Sequence, residues 1–129
     1  MNDLEQFLAL PDIDNITADV FVSDRVGTFK VKAMTAEEYR DYNRKSTGKF
    51  NKDGVSFDST KFFISMIAGQ TISPDFANKE ALAKSKCITP EELVSKKLLI
   101  GEIMTLASKI QEISGFNNNK DEDIEDAKN

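Results

Sequence analysis

The segment from Pro74 to Phe116, PDFANKEALAKSKCITPEELVSKKLLIGEIMTLASKIQEISGF, carries two helix-start signals and a long apolar stripe, then stops at Gly115. Within it Leu99, Ile103, Leu106, Ile110 and Ile113 recur at steps of four and three, the spacing that lines side chains along one helix face. A second apolar edge, Ile100, Met104 and Ala107, runs beside the first. A helix this broad in its apolar surface must pack against something, and two candidates stand open: the chain's own core, or a partner.

The other elements follow from local signals. Asp3–Leu10 carries Leu4, Phe7 and Leu8 at helical spacing before Pro11, which predicts a short amphipathic helix. Val20–Ala33 reads as a β-hairpin, with Phe29, Val31 and Ala33 alternating with lysines and with turn residues over Ser23–Thr28. Thr35-Ala36-Glu37-Glu38 is a capping box, so a helix is expected from Ala36 to about Lys45. Ser46–Val55, with two glycines, reads as a loop. Asp58 can cap a heavily buried helix bearing Phe62, Phe63, Met66 and Ile67, whose end is bracketed by Gly69 and Pro74.

Asn78–Lys86 predicts another short helix, with Ala81 and Leu82 facing inward. Thr89-Pro90-Glu91-Glu92 repeats the capping box with proline at the first helical position, where its missing amide costs nothing. Gly101 is expected to break the pattern into a helix near Pro90–Lys97 and a longer one near Ile100–Ser114. Gly115 then takes the left-handed position that closes a helix, with Phe116 folded back on the last turn. The expected fold is α+β and predominantly helical: a small N-terminal hairpin followed by about five helices, in one domain over 1–116, with 117–129 an acidic disordered tail.

Composition excludes much chemistry. The chain has 129 residues, no histidine and one cysteine, Cys87, which leaves no internal disulfide and no imidazole to activate a thiol. Cys87 reads as a small half-buried residue before a helix. No secretory signal is visible at Met1–Leu10, and the longest apolar run, Phe62–Gly69, falls short of a membrane span. The formal net charge of −5 places −3 in Asn117–Asn129 and −2 in everything before it, so no membrane or nucleic-acid partner is expected. Lys30, Lys32, Arg40, Arg44 and Lys45 with Tyr39 and Tyr42 are interleaved with Glu37, Glu38 and Asp41, an ordinary mixed-sign face. Ser46-Thr47-Gly48-Lys49 lacks the first glycine and the final hydroxyl of a phosphate loop, and neither Asp12/Asp14 nor Asp121-Glu122-Asp123 has calcium-loop spacing. No catalytic residue, cofactor or metal site is expected.

Taken in order, Leu4-Glu5-Gln6-Phe7-Leu8, Ser23-Asp24-Arg25 before Phe29–Glu38, Pro74-Asp75-Phe76, Thr89-Pro90-Glu91-Glu92-Leu93 and Leu98–Glu102 through Ser114-Gly115-Phe116 resemble the XkdN-like tail assembly chaperones of long-tailed bacteriophages and prophages. The resemblance spans nearly the whole chain and implies a non-enzymatic protein of the bacterial host cytoplasm. It further implies that the protein keeps the tape measure protein soluble, helps recruit tail tube subunits, and is absent from the mature particle. The candidate partner-binding residues are Leu99, Ile100, Ile103, Met104, Leu106, Ile110, Ile113 and Phe116. The breadth of the stripe also permits a homo-oligomer. Tail chaperones of this kind often have a longer frameshifted form that meets the tail tube protein, and Ala127-Lys128-Asn129 is compatible with the slippery codons GCA-AAA-AAC. The competing class is a structural tail protein, a completion or connector subunit retained in the particle and using the hairpin as an assembly edge. A small regulatory binder of host protein or nucleic acid is the third.

Overall fold

Strand alternation and helix caps resolve into elements close to where the sequence pattern sets them. The computed structural model describes residues 3–116, so the expected acidic tail lies outside the described residues. In chain order they form α1 (Asp3–Leu8), a 3-10 turn (Ile13–Asn15), β1 (Thr17–Ser23), β2 (Gly27–Lys32), α2 (Ala36–Lys45), α3 (Ser59–Gln70), β3 (Thr71–Ser73), α4 (Lys79–Lys84), α5 (Pro90–Lys97) and α6 (Ile100–Ile113). The class is α+β, with a small antiparallel sheet near the N-terminus and helices making up most of the rest.

The hairpin is present but is part of a three-stranded sheet in the order β1-β2-β3. It begins at Thr17, three residues before the expected start at Val20, and pairs Val20 with Phe29 and Ala18 with Val31. Because side chains alternate across a strand, Val20, Val22, Phe29 and Val31 all face the core while Phe21 and Lys30 face out. The third strand was not expected. Thr71–Ser73 pairs antiparallel with Lys30 and Val31, and three residues are too few for alternation to show in a sequence.

At the centre lies α3, packed against α2, α5 and α6, while α6 also lies on β1. The Asp58 carboxylate accepts the Lys61 amide at 3.0 Å, as the capping signal requires. This helix buries Phe62, Met66 and Ile67 but also Ser65 and Gln70, and it continues one residue beyond Gly69. Gln70 is fully buried because each end of its amide has a partner. Its Oε1 accepts the Tyr42 hydroxyl at 2.6 Å, and its Nε2 donates to the Ala33 carbonyl at 2.9 Å. Burial, reinforced by the nearby carboxylates of Glu38 and Asp41, pushes the Tyr42 phenol well above its ordinary pKa, so it stays a donor. A buried Tyr42 also cannot stack on a nucleobase.

The caps vary in detail. Thr35 and Glu38 form the full reciprocal box, at 3.1 and 2.9 Å. Thr89 accepts the Glu92 amide at 3.2 Å, but the Glu92 carboxylate reaches one residue further back, to the Ile88 amide at 3.1 Å. Gly115 has φ +94°, and the Phe116 amide donates to Gln111 O at 2.9 Å, closing α6 in a Schellman motif. The same motif closes α4, with Lys86 at φ +59° in the position that glycine usually takes, and Cys87 beyond it is half-buried.

The two helices expected near Pro90–Lys97 and Ile100–Ser114 are present, with the break at Leu98 and Leu99, whose ψ of 140° and 155° are extended. The correction concerns Gly101, which sits inside α6 and does not make the break. A side chain at Gly101 would meet open space, whereas one at Gly69 would overlap the Tyr42 hydroxyl. The same substitution should therefore act with opposite signs. Gly101→Ala is expected to stabilise by about 0.4–1 kcal/mol by restricting the unfolded chain, and Gly69→Ala to destabilise by about 1–3 kcal/mol by overpacking. Urea denaturation of the two variants checks both signs.

Candidate partner-binding surface

The corner between α5 and α6 decides which side of the last helix meets solvent. Leu98 is buried and ends α5, and the chain turns through two extended residues before α6 begins. Leucine has no oxygen with which to cap a helix, so Glu102, three residues later, reaches back alone: its Oε1 accepts the Leu99 amide at 2.7 Å. That carboxylate is itself buried, with the residue 5% exposed. It is held by the hairpin turn, where Ser23 Oγ donates to Oε2 at 2.7 Å and Arg25 donates through Nε at 3.1 Å and Nη2 at 2.5 Å. Arg25 Nη2 also donates to the Lys97 carbonyl at 2.7 Å, which ties the end of α5 into the same cluster. A planar guanidinium can hold a carboxylate and a carbonyl at once in a way that an ammonium cannot.

Arg25, then the Leu99 amide and the Ser23 hydroxyl, hold the Glu102 carboxyl down at about 2, against an ordinary value of 4.5. The folded protein thus keeps this group charged where the unfolded chain would protonate it. Its contribution to stability is fully present above about pH 4.5 and is lost as the pH falls towards about 2.

At the far end of α6, Ser114 Oγ accepts the Met34 amide at 2.9 Å, so the helix is pinned to the rest of the domain at both ends. With its rotation set in this way, α6 turns Ile103, Leu106, Ala107 and Ile110 into the core. Ile113 is half-buried at the margin of that core. Leu99 and Ile100 are 62% and 61% exposed, and Met104, one turn beyond Ile100, is 44% exposed. The eight residues singled out on α6 and its ends are therefore not one surface. Ile103, Leu106 and Ile110 are core residues, so in this conformation they do not reach a partner. Ala107, read as belonging to the second edge, is core as well. Leu99, Ile100 and Met104 make a compact exposed patch.

Phe116 belongs elsewhere. A rise of about 1.5 Å per residue puts it some 20 Å along α6 from Ile100, where it packs on Tyr39 with ring centroids 5.4 Å apart. Tyr39 in turn meets Phe62, and Phe62 meets Phe57, so a row of aromatics runs from the end of α6 across α3. Ser23 and Arg25, which set the patch, were not read as functional from sequence. Their signal is weak: a helix starting at leucine needs its cap from somewhere, and nothing local identifies a turn 77 residues upstream.

Among the described residues no group of three or more histidine, cysteine or carboxylate side chains could hold a metal, and no helix is long and apolar enough to cross a membrane. What the chain presents is apolar helix surface carried on a fixed scaffold, the kind of site that binds another polypeptide. The chain belongs to the phage XkdN-like tail assembly chaperone family, whose model it matches over residues 4–128.

Among its relatives is the XkdN protein of the phage-like element PBSX of Bacillus subtilis strain 168, 29% identical over 106 residues covering 78% of this chain and 72% of that protein. YqbN of the same organism is 29% identical over 136 aligned positions, covering 96% and 89%. A crystal structure of YqbN superposes with a TM-score of 0.69 at 26% identity, covering 91% of this chain and 99% of that one. The protein is thus a phage tail assembly chaperone by family.

Removing the Glu102 charge tests the corner. Glu102→Gln should lower the urea midpoint at pH 7 and flatten the decline in stability between about pH 4.5 and pH 2 that the native protein shows. Arg25→Ala should lose stability through the same cluster, so the double variant should lose less than the sum of the two.

Proposed function

We propose that this chain binds and solubilises the tape measure protein in the host cytoplasm during tail assembly, helps recruit tail tube subunits, and departs before the particle is complete. The observation that carries the reading is the patch of Leu99, Ile100 and Met104: three large apolar side chains left in solvent on a helix whose opposite face is core, in a chain of the tail assembly chaperone family. An amphipathic segment can lay its apolar face on such a patch without disturbing the fold. Burying each side chain contributes roughly 1.5–3 kcal/mol, which the roughly 4–15 kcal/mol lost on association largely offsets. A single contact is then weak and reversible, as a transient chaperone needs, and repeated contacts along a long partner would add by effective concentration. Recruitment of tail tube subunits belongs in this reading to a longer frameshifted product, for which sequencing of the codons for Ala127 and Lys128 is the direct check.

Co-expression with the neighbouring tape measure gene tests the reading. Ile100→Asp and Met104→Asp should each abolish recovery of soluble tape measure protein while shifting stability by no more than about 0.5 kcal/mol, because neither side chain is core. Leu106→Ala, a core control, should instead destabilise by about 2–5 kcal/mol. Soluble tape measure protein recovered equally with both aspartate variants would overturn the assignment of the patch. Mass spectrometry of purified particles should find the chain absent, and its presence there would favour a structural tail protein instead.

A further inference from the structure

The N-terminal segment is the most apolar surface the fold leaves uncovered. Every residue of α1 is exposed, with Phe7 at 65% and Leu8 at 72%, and Leu4 and Leu10 are similarly bare. Leu4, Phe7 and Leu8 share one helix face, at spacings of three and four. Between that face and the turn that follows, an open cleft of about 580 Å³ is lined by Phe7, Leu8, Leu10, Pro11 and Ile13, with Thr35 closing its inner wall. A six-residue helix is marginal in water on its own, and neighbouring large apolar side chains left this bare point to an interaction site.

Charge says what kind of occupant fits. Residues 1–19 contain Asp3, Glu5, Asp12, Asp14 and Asp19 and no lysine or arginine, a net −5 within nineteen residues. Residues 20–116 carry fifteen bases against twelve acids, a net +3. Asp14 lies 3.8 Å from the half-buried Lys32, and Asp19 stands opposite Lys30 in the sheet, so the excess of negative charge is greatest along α1 and at Asp12. The apolar face therefore sits inside a predominantly acidic border. Anionic lipid surfaces and nucleic acid are repelled by such a border. Two copies of this chain meeting through the same face would bring two acidic borders together. The α1 backbone bonds within its own turns, so it offers no free edge for an added strand. What remains is recognition by side chains alone.

We infer that the α1 face and its cleft form a second docking surface, whose occupant is an amphipathic helix of another protein with leucine-like residues on one face and lysines or arginines along its borders. This surface is separate from the Leu99, Ile100 and Met104 patch and needs neither that patch nor the tape measure protein. Its apolar centre supplies affinity, and its acidic border selects partners by sign and speeds their encounter.

The test uses the full chain and two synthetic amphipathic helices of identical leucine face, one bordered by lysines and one by glutamates, with binding followed by fluorescence anisotropy. The lysine peptide should bind at least about tenfold more tightly than the glutamate peptide, and its affinity should fall as salt screens the charges. Phe7→Ser combined with Leu8→Ser should weaken binding about tenfold or more with unchanged circular dichroism, since neither side chain is part of the core. Asp12→Lys with Asp14→Lys keeps the apolar face and cuts the net charge of residues 1–19 from −5 to −1, so it should largely remove the preference between the peptides. Ile100→Asp should leave peptide binding as it was, which separates this surface from the one proposed for the tape measure protein. Equal binding of both peptides by the native chain, or full binding by the Phe7/Leu8 variant, overturns the inference. So does concentration-dependent self-association abolished by that variant, which would make a second copy the occupant.

Discussion

The buried carboxylate of Glu102 is the point on which the arrangement of this protein turns. It caps a helix that starts at leucine, and it receives Arg25 and Ser23 from a hairpin turn distant in sequence. A charge in such a place is tolerable only when its lone pairs are filled, and here four donor atoms surround it. The result is geometric as well as energetic. By joining the sheet to the corner between α5 and α6, the cluster sets the rotation of the last helix. That rotation sends Ile103, Leu106 and Ile110 inward and leaves Leu99, Ile100 and Met104 in solvent.

A second polar centre does similar work at the other side of α3. Tyr42, Gln70 and the Ala33 carbonyl form a closed chain of hydrogen bonds in the core, and Gly69 exists where the tyrosine leaves no room for a side chain. Both centres hold the elements around them in one arrangement. Packed core and exposed apolar side chains go together here, because a loosely packed core would expose more than Leu99, Ile100 and Met104.

Much of the fold was legible before any coordinates. Thr35, Asp58 and Thr89 all cap helices through their side chains, because capping depends on a few neighbouring residues that are read directly. Gly115 closes α6 for the same local reason. Two errors share the opposite cause. The two helices lie where the sequence puts them, but Gly101 is inside α6, and the break at Leu98 and Leu99 is held by the Glu102 cluster and not by glycine's low helix propensity. Strand β3 was missed because its three residues are ordered by pairing with Lys30 and Val31, a contact about forty residues distant in sequence.

The candidate surface was legible only in outline. Periodicity in the sequence determined that the last helix has a broad apolar stripe with two edges, and the order of motifs along the chain determined its family. Which edge is core and which is surface was decided by packing against α3 and β1 and by the clamp at Glu102. The same limit applies to Leu4, Phe7 and Leu8, whose helical spacing is plain from the sequence and whose exposure is not. Spacing is set by the residues of one segment, whereas burial depends on what lies across from it, and only the folded chain supplies that neighbour.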